Sequence, residues 1–381
     1  MRILYFSKGY TPHDYRFLSS LSQTENEIFY MQLEPVSRQT EDRDIPRSVK
    51  KIAWAGGTKV FRWRDALRLK LDLQRVIREL QPDIIHAGPI QTCAFLVALA
   101  GFPRLLTMSW GYDLMMDADR NWLFRFITQY TLKRSAHFTS DAAVTRDKAV
   151  LLGMDARRMT IFPWGVDTDH FAPTRLEQRN TPEHGGQEAV TLFCSRTWES
   201  IYGVDVLANA FVNVARECPY VNMILLGGGS MEASIRKTLA EGGVIERVFF
   251  GGQVAQRDLP RWYCQSDIYI SPSHVDGTSV TLLEAMACGL PCLVSDIPGN
   301  MDWIVEGVNG WTFRDGDVDD LTEKILLAIR NRESLHSLGD ASRRTAVARA
   351  NWKKNFGSLL DAYHAIAADR DRKGPMRELH Q

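Results

Sequence analysis

Hydrophobic and polar positions along the first half of the chain alternate between short strand-like runs and longer helical patterns. The short runs are rich in branched and aromatic residues, which predicts the strands Arg2–Ser7, Glu27–Leu33, Asp83–Ala87, Arg104–Ser109, Ala136–Ser140 and Met159–Pro163. Apolar residues at helical spacing predict the helices Asp65–Leu80, Ile90–Ala100 and Asn121–Arg134. This alternation is typical of a parallel sheet covered by helices on both faces.

The alternation stops at 173–188, a polar stretch without periodicity that indicates a linker. It then restarts, predicting the strands Ala189–Ser195, Val221–Leu226, Arg247–Phe250, Asp267–Ser271, Pro291–Ser295 and Gly310–Phe313, and the helices Val204–Glu217, Met231–Glu241, Val280–Ala287, Asp319–Arg330 and Leu335–Ala350. We therefore predict an α/β protein of two doubly wound, Rossmann-like parallel-sheet domains facing a cleft. The domains are expected at 1–172 and 189–351, with a last helix, 352–368, returning to the N-terminal domain.

Composition narrows the function classes. The 381 residues are 45% hydrophobic, which excludes a disordered chain, and their length suits about two to three domains. Lys plus Arg and Asp plus Glu number 46 each. Because the net charge is zero, no global field favours nucleic acid, and we expect no nucleic-acid partner.

The spacing of the cysteines and the length of the apolar runs indicate where in the cell the protein is located. The six cysteines form no CxxC pair or Cys/His cluster, which indicates reduced thiols. Lys8 comes too early for a signal peptide, and the apolar run Cys93–Pro103 is about half of a membrane span. We expect a cytoplasmic protein, at most peripheral on the inner face of a membrane. The basic, aromatic segment Lys59–Lys70 suits anionic lipid headgroups, although a solvated helix face is the favoured interpretation.

Three strand ends carry candidate donor-binding residues. Arg196 follows a predicted strand, where a guanidinium suits a diphosphate; a surface arginine paired with Glu199 is the equal alternative. Gly228 lies in a glycine-rich loop, and Gln253 and Val254 follow another strand end with backbone available to a nucleobase. For both of these loops an ordinary tight turn is at least as good an interpretation.

The densest candidate region runs from Asp276 to Pro291. Asp276 and Glu284 are carboxylates, which accept two hydrogen bonds side by side and so suit vicinal sugar or ribose hydroxyls. Glu284 lies among apolar residues of a predicted helix, and a structural glutamate is the alternative. Backbone N–H groups at the start of that helix suit phosphate, and they belong to Gly277, Thr278, Ser279 and Val280.

This region resembles the E-x7-E segment of retaining glycosyltransferases of family 4, and 161–173 is similar to that family's signature before the linker. The resemblance covers nearly the whole chain and implies the GT-B fold and a nucleotide-sugar donor. It places Arg196 on the donor diphosphate and Glu284 on the ribose. Asp276 stands near the donor sugar, where the family usually has glutamate. No cofactor is implied beyond the nucleotide-sugar substrate.

The chain departs from the family pattern at several positions. Tyr202 stands where lysine is common, and Trp110 replaces the histidine of a His-Gly-x-Asp loop that ends at Asp113. Trp110 is either a sugar platform or a core residue. The usual Gly-Gly after the first strand is missing, and 11–15 occupies that loop. The weaker candidates for the acceptor side are Gly9, His13, Asp14, Trp110 and Asp113.

Three D-x-D triplets, at 117–119, 167–169 and 315–317, do not close strands as a metal site would require, so we expect no catalytic metal. The leading hypothesis is transfer of a sugar, with retention, from a nucleotide-sugar to a hydroxyl of a glycan or lipid-linked glycan. Polysaccharide or glycolipid assembly is the pathway that the family suggests. The alternatives are an inactive glycosyltransferase-like partner subunit, motivated by the two replacements, and a nucleotide-sugar epimerase.

Overall fold

The computed structural model describes residues 1–35, 41, 43–174 and 189–373, with side chains to residue 368. The predicted linker therefore lies, beyond Thr174, outside the described residues. The chain folds as two compact units. Unit 1 is Met1–Pro163 with Lys354–Gln381, and unit 2 is Trp164–Lys353. Residues 164–172, which precede the predicted linker, thus belong to unit 2.

In its described part, unit 1 contains a seven-stranded parallel sheet in the order β3-β2-β1-β4-β5-β6-β7. The strands are β1 (Arg2–Ser7), β2 (Glu27–Gln32), β3 (Lys50–Lys51), β4 (Ile84–Ala87), β5 (Leu105–Met108), β6 (His137–Ser140) and β7 (Met159–Ile161). The helices between them are α1 (Pro12–Leu21), α2 (Ala66–Leu80), α3 (Phe95–Ala100), α4 (Tyr112–Met115), α5 (Trp122–Arg134) and α6 (Ala143–Leu151). The central strands are buried on both faces, as their continuous apolar runs predict.

Unit 2 contains a six-stranded parallel sheet in the order β10-β9-β8-β11-β12-β13, counted over the described residues. Its strands are β8 (Val190–Cys194), β9 (Val221–Leu226), β10 (Val248–Gly252), β11 (Ile268–Ser271), β12 (Cys292–Ser295) and β13 (Gly310–Phe313). Its helices are α7 (Val204–Glu217), α8 (Glu232–Glu241), α9 (Leu259–Cys264), α10 (Val280–Ala287), α11 (Pro298–Met301), α12 (Val318–Arg330) and α13 (Leu335–Arg349), and α14 (Trp352–Lys373) ends the described chain.

Both sheets reverse their strand order at one point, which confirms the prediction of two doubly wound α/β domains. The reversal falls between β1 and β4 in unit 1 and between β8 and β11 in unit 2. Ligands of doubly wound sheets bind outside the carboxyl ends of the strands at this reversal. The loops that follow these four strands are therefore the first places to look for a site.

The loop assigned to 11–15 was wrong. These residues begin α1, where Thr11 is the N-cap and forms a capping box with Asp14, and Pro12 opens the helix. Threonine, proline at the first helical position and an acidic residue three positions after the cap together form a helix start. His13 and Asp14 therefore lie in a first helical turn.

Helix α14 contacts the sheet of unit 1 through a buried pair. The Tyr363 hydroxyl lies 2.7 Å from Nδ1 of His86 on β4. Burial lowers the pKa of His86 to about 3, so the ring is neutral, as suits a packed strand residue. None of the described helices has both the length and the apolar character needed to cross a membrane.

Candidate active site

Arg196 and Asp276 meet at the reversal of strand order in unit 2. Arg196 follows β8, and Asp276 lies in the loop between the neighbouring strand β11 and helix α10. Nη2 of Arg196 lies 2.6 Å from Oδ2 of Asp276. The structure thus brings together two of the predicted site residues, which are 80 positions apart in the chain.

The Arg196 guanidinium also donates to hydroxyl groups at the start of α10. Nη1 lies 2.8 Å from Oγ of Ser279 and 3.2 Å from Oγ1 of Thr281. Its Nε has no hydrogen-bond partner among the described residues. A buried donor in this state has a free energy cost that an anionic ligand would remove.

The ring of Tyr202 lies against one face of the Arg196 guanidinium. The guanidinium carbon lies 4.2 Å from the centroid of the Tyr202 ring, and the residue is only 8% exposed. Burial is the largest single effect and opposes the charged guanidinium, but the Asp276 carboxylate, with smaller contributions from neighbouring phenol and thiol groups, raises the pKa of Arg196. The site therefore holds a charged guanidinium in a fixed orientation, with the Tyr202 ring on one of its faces.

The other predicted residues of this loop form the entry to α10. Ser279 is the N-cap, and its hydroxyl accepts a hydrogen bond from the backbone N–H of Leu282 at 3.4 Å. Gly277 and Thr278 precede it, and Val280 is the first residue of the helix. The first N–H groups of α10 thus lie beside the Arg196 guanidinium, a combination that favours anions.

Glu284 is buried within α10, with 2% of its surface exposed. Its Oε1 accepts from Nε2 of Gln256 at 2.8 Å, and its Oε2 accepts from the Tyr263 hydroxyl at 2.8 Å. Burial, followed by the Glu284 charge, raises the pKa of Tyr263 well above its ordinary value, so the phenol keeps the proton that it donates. Both oxygens of Glu284 are therefore oriented by the protein.

The remaining candidate residues for binding the nucleotide-sugar donor lie in the loops after β9 and β10. Gly228 accepts from the backbone N–H of Trp198 through its carbonyl at 3.1 Å, which fixes the β9 loop beside the segment that carries Arg196. Gln253 is exposed directly after β10, and Val254 packs partly buried against the second hydrophobic core of unit 2. Of these two residues, only Gln253 is exposed.

The acceptor-side candidates gather at the corresponding edge of unit 1. The rings of His13 and Trp110 meet edge to face at a centroid distance of 5.2 Å. Burial lowers the pKa of His13 to about 3, which makes the imidazole neutral. The Gly9 carbonyl accepts from the Ser7 hydroxyl at 2.8 Å. The first turn of α1 is thus in contact with the loop after β5.

Asp14 and Asp113 hold their own loops. Asp14 accepts from the Tyr5 hydroxyl at 3.0 Å and from the Thr11 backbone at 2.8 Å. Asp113 accepts from the Ser109 hydroxyl at 2.6 Å and from the Trp110 backbone at 3.0 Å. Burial raises the pKa of each carboxyl to about 6 against the opposing effect of these hydrogen bonds. Both aspartates therefore stabilise the segments at the carboxyl edge of the sheet through buried hydrogen bonds.

The three D-x-D triplets are engaged in ion pairs and helix caps. Asp119 pairs with Arg125 and Lys148, Asp169 pairs with Lys353, and Asp317 caps α12. Within the described ranges, no group of three His, Cys, Asp or Glu side chains is arranged to hold a metal ion.

Sequence reasoning missed the side chains that orient the predicted ones. Gln256 and Tyr263 fix Glu284 from a neighbouring helical segment, and the Thr281 hydroxyl accepts a hydrogen bond from Arg196. Thr281 had a signal, because it lies two residues after the N-cap Ser279, in the first turn of α10. Gln256, just before α9, and Tyr263, within it, had none, because their role depends on how this part of the chain packs against α10.

Comparisons with known proteins identify the family. The family model described as "Glycosyl transferases group 1" matches residues 174–345, and the model "Glycosyl transferase 4-like" matches residues 2–142. The GDP-mannose-dependent alpha-(1-6)-phosphatidylinositol monomannoside mannosyltransferase of Mycobacterium tuberculosis is 25% identical over 339 residues, which cover 81% of this chain and 84% of that protein. The D-inositol 3-phosphate glycosyltransferase of Xylanimonas cellulosilytica is 30% identical over 241 residues, or 59% of this chain and 57% of that protein.

Solved structures share the fold at low sequence identity. Sucrose-phosphate synthase from Thermosynechococcus elongatus has a TM-score of 0.78 at 14% identity, covering 97% of this chain and 100% of that one. HepE of Anabaena, in complex with UDP and glucose, has a TM-score of 0.77 at 17% identity, covering 96% and 100%. The chain therefore belongs to the GT-B glycosyltransferases of the family 4 type, enzymes that use nucleotide-sugar donors.

Proposed function

We propose that this enzyme transfers a hexosyl group from a nucleoside diphosphate sugar to a hydroxyl acceptor, with retention at the anomeric carbon and without a catalytic metal. The observation that carries the proposal is the buried Arg196 guanidinium at the reversal of strand order in unit 2. It lies among the hydroxyls of Ser279 and Thr281 at the start of α10. Such a cation suits the charge that develops on a departing diphosphate.

In the proposed reaction the bond between the anomeric carbon and the phosphate oxygen breaks, and its electron pair leaves with the diphosphate. The acceptor oxygen forms the new bond on the same face of the sugar. The acceptor proton passes to the departing phosphate oxygen, so charge and atoms balance without an enzyme nucleophile. Arg196 and the N–H groups of α10 stabilise the diphosphate, which is electrostatic catalysis.

The two carboxylates of the site have separate proposed roles. Glu284 binds the nucleotide ribose, and Gln256 and Tyr263 set the orientation of its oxygens. Asp276 holds Arg196 before the donor arrives and turns to the sugar hydroxyls when the diphosphate takes its place. A carboxylate already paired with a charged arginine suits this exchange better than formation of a covalent glycosyl intermediate.

We propose a glycan or lipid-linked glycan as the acceptor and assign its binding to the carboxyl edge of the sheet in unit 1. The rings of His13 and Trp110 lie edge to face there, and aromatic rings pack on the C–H groups of sugars. The mycobacterial relative is named for mannosyl transfer to a phosphatidylinositol monomannoside. GDP-mannose and UDP-glucose are therefore the first donors to test, since HepE has been crystallised with UDP-glucose.

A thermal-shift panel tests the donor site. Nucleoside diphosphates and their sugars are added to the wild type with EDTA or with Mg²⁺, and one nucleotide class is expected to raise Tm in both. A ligand at 100 times its Kd stabilises the native state by about 2.7 kcal/mol. Glu284→Gln is expected to lose most of the shift, measured against its own ligand-free Tm because Glu284 is buried. Arg344→Gln, an exposed residue of α13, is the matched control.

The outcomes separate the candidate functions. Release of nucleoside diphosphate only when an acceptor is present supports a transferase, and release or interconversion of the sugar without acceptor indicates an epimerase. Binding without turnover indicates an inactive partner. The anomeric configuration of the product, measured by NMR, tests retention, and a shift that requires Mg²⁺ would contradict the metal-independent site.

Tyr202→Leu tests the orientation of Arg196. Because the ring lies over a mostly buried guanidinium, its loss is expected to cost about 1 kcal/mol and to raise the Kd of the diphosphate roughly three- to tenfold. Tyr202→Phe keeps the ring and is expected to stay within about twofold of the wild type. Isothermal titration calorimetry checks both. Equal affinities in Tyr202→Leu and the wild type would contradict this role of the ring.

A further inference from the structure

Exposed apolar side chains concentrate on one part of unit 1. Among the described residues, seven of the sixteen large hydrophobic residues that are exposed lie in two short segments, 59–71 and 120–134. The most exposed of them is Trp122, at 79%. The seven are Val60, Trp63, Leu67, Leu71, Trp122, Leu123 and Phe126. We call these two segments together the apolar–basic surface.

The two segments are in direct contact. The ring of Trp63 lies 6.0 Å from that of Phe124 on α5 and 5.9 Å from that of Phe95 on α3, both edge to face. Helix α3 packs against both α2 and α5. The exposed residues therefore form one surface that spans α2 and α5.

Helix α5 buries two threonines together with Ile127 and Leu132, and it leaves aromatic side chains exposed. Thr128 and Thr131 are buried, and their hydroxyls donate to the carbonyls of Phe124 and Ile127 at 2.8 Å. Trp122 and Phe126, in contrast, are exposed. A helix that buries threonines and exposes aromatic residues is suited to an apolar partner on its outer face.

Charge identifies the kind of partner. Nine of the ten charged residues in the two segments are basic, whereas the whole chain has equal numbers of the two signs. Asp65 is the acidic exception, and just outside the segments Asp119 pairs with Arg125. Arg62 and Arg64 flank Trp63 and are exposed. Aromatic residues at the headgroup level with cations beside them match the boundary of an anionic bilayer.

We propose that the apolar–basic surface docks unit 1 on an anionic membrane, with the exposed side chains of α5 and α2 inserted at the headgroup–acyl boundary. Docking of this kind reaches about 5–10 Å into the bilayer and needs no spanning helix. The cations are attracted to an anionic surface, and the aromatic and aliphatic groups supply the apolar area that the bilayer buries. The proposal does not depend on the donor site, which lies in unit 2.

Co-sedimentation of the full chain with vesicles tests the proposal. The wild type is expected to bind vesicles of phosphatidylcholine mixed with phosphatidylglycerol at least about tenfold more tightly than phosphatidylcholine alone, and to be released by salt. Trp122→Ser with Phe126→Ser is expected to weaken binding at least about tenfold. Arg62→Gln with Arg64→Gln is expected to reduce the preference for the anionic vesicles. All four side chains are exposed, so the fold is expected to persist, and Tm checks it.

Val308→Ser, an exposed apolar position of unit 2, is the matched control and is expected to bind as the wild type does. Equal binding by the Trp122→Ser, Phe126→Ser variant and the wild type would overturn the proposal, as would equal binding to neutral and anionic vesicles. A dimer that dissociates in this variant, without vesicle binding, would assign the surface to a second copy of the chain. The nucleotide panel is independent of each of these results.

Discussion

Replacing Arg196 with glutamine is expected to lower kcat/KM for sugar transfer by about 10²–10³-fold, the usual effect of removing one donor aimed at developing charge. The guanidinium is the buried cation of the proposed diphosphate site, and glutamine keeps part of its hydrogen bonding without its charge. Arg196→Lys keeps the charge but not the planar fork, so an intermediate loss is expected. Initial rates with the donor found in the panel provide the measurement.

A loss of activity in Arg196→Gln has a structural explanation that must be separated from the catalytic one. The Asp276 carboxylate loses its cation in this variant, and an uncompensated charge in a partly buried site destabilises the fold. The double variant Arg196→Gln, Asp276→Asn replaces the ion pair by two neutral side chains and is expected to recover Tm while remaining inactive. Activity within about threefold of the wild type in Arg196→Gln would contradict the assignment.

Much of the fold follows from the sequence because buried parallel strands are continuous apolar runs. The strand at Arg2–Ser7, for example, is predicted with the bounds that the structure shows. Strand β3 has no such signal, since its two residues are exposed lysines that pair at the sheet edge through their backbone. Helix α1 was missed for another reason, because its capping residues also occur in loops.

The candidate site was predictable where chemistry is carried by single residues after strands. Arg196 and Asp276 are 80 positions apart, yet they meet because β8 and β11 are neighbours at the reversal of strand order. The groups that orient Arg196 and Glu284 were not predictable. The face of Tyr202 on Arg196 and the hydroxyl of Tyr263 on Glu284 depend on tertiary packing, which no local pattern encodes.

Gly299 shows how a residue without functional groups supports this site. It lies in α11, and a Cβ added there would overlap the carbonyl oxygen of Gly277 and approach that of Asp276 to 2.7 Å. Its φ lies outside the left-handed region, so alanine is compatible with the backbone itself. The expected consequence of Gly299→Ala is therefore a displacement of the loop that carries Asp276 and leads into α10.

Because the loop holds the proposed sugar and phosphate contacts, Gly299→Ala is expected to reduce kcat/KM by about 10²-fold, as a displacement near 1 Å does in other sites. Most of the loss is expected as a higher KM for the nucleotide-sugar, because the loop residues that contact it are displaced while Arg196 keeps its charge. Overpacking costs about 1–3 kcal/mol of stability, which Tm measures separately. Gly357→Ala is the matched control, because nothing lies within 4 Å of its added Cβ. If Gly299→Ala loses stability yet binds donor as the wild type does, the loop does not hold the donor, and the contacts assigned to Asp276 and Gly277 are wrong.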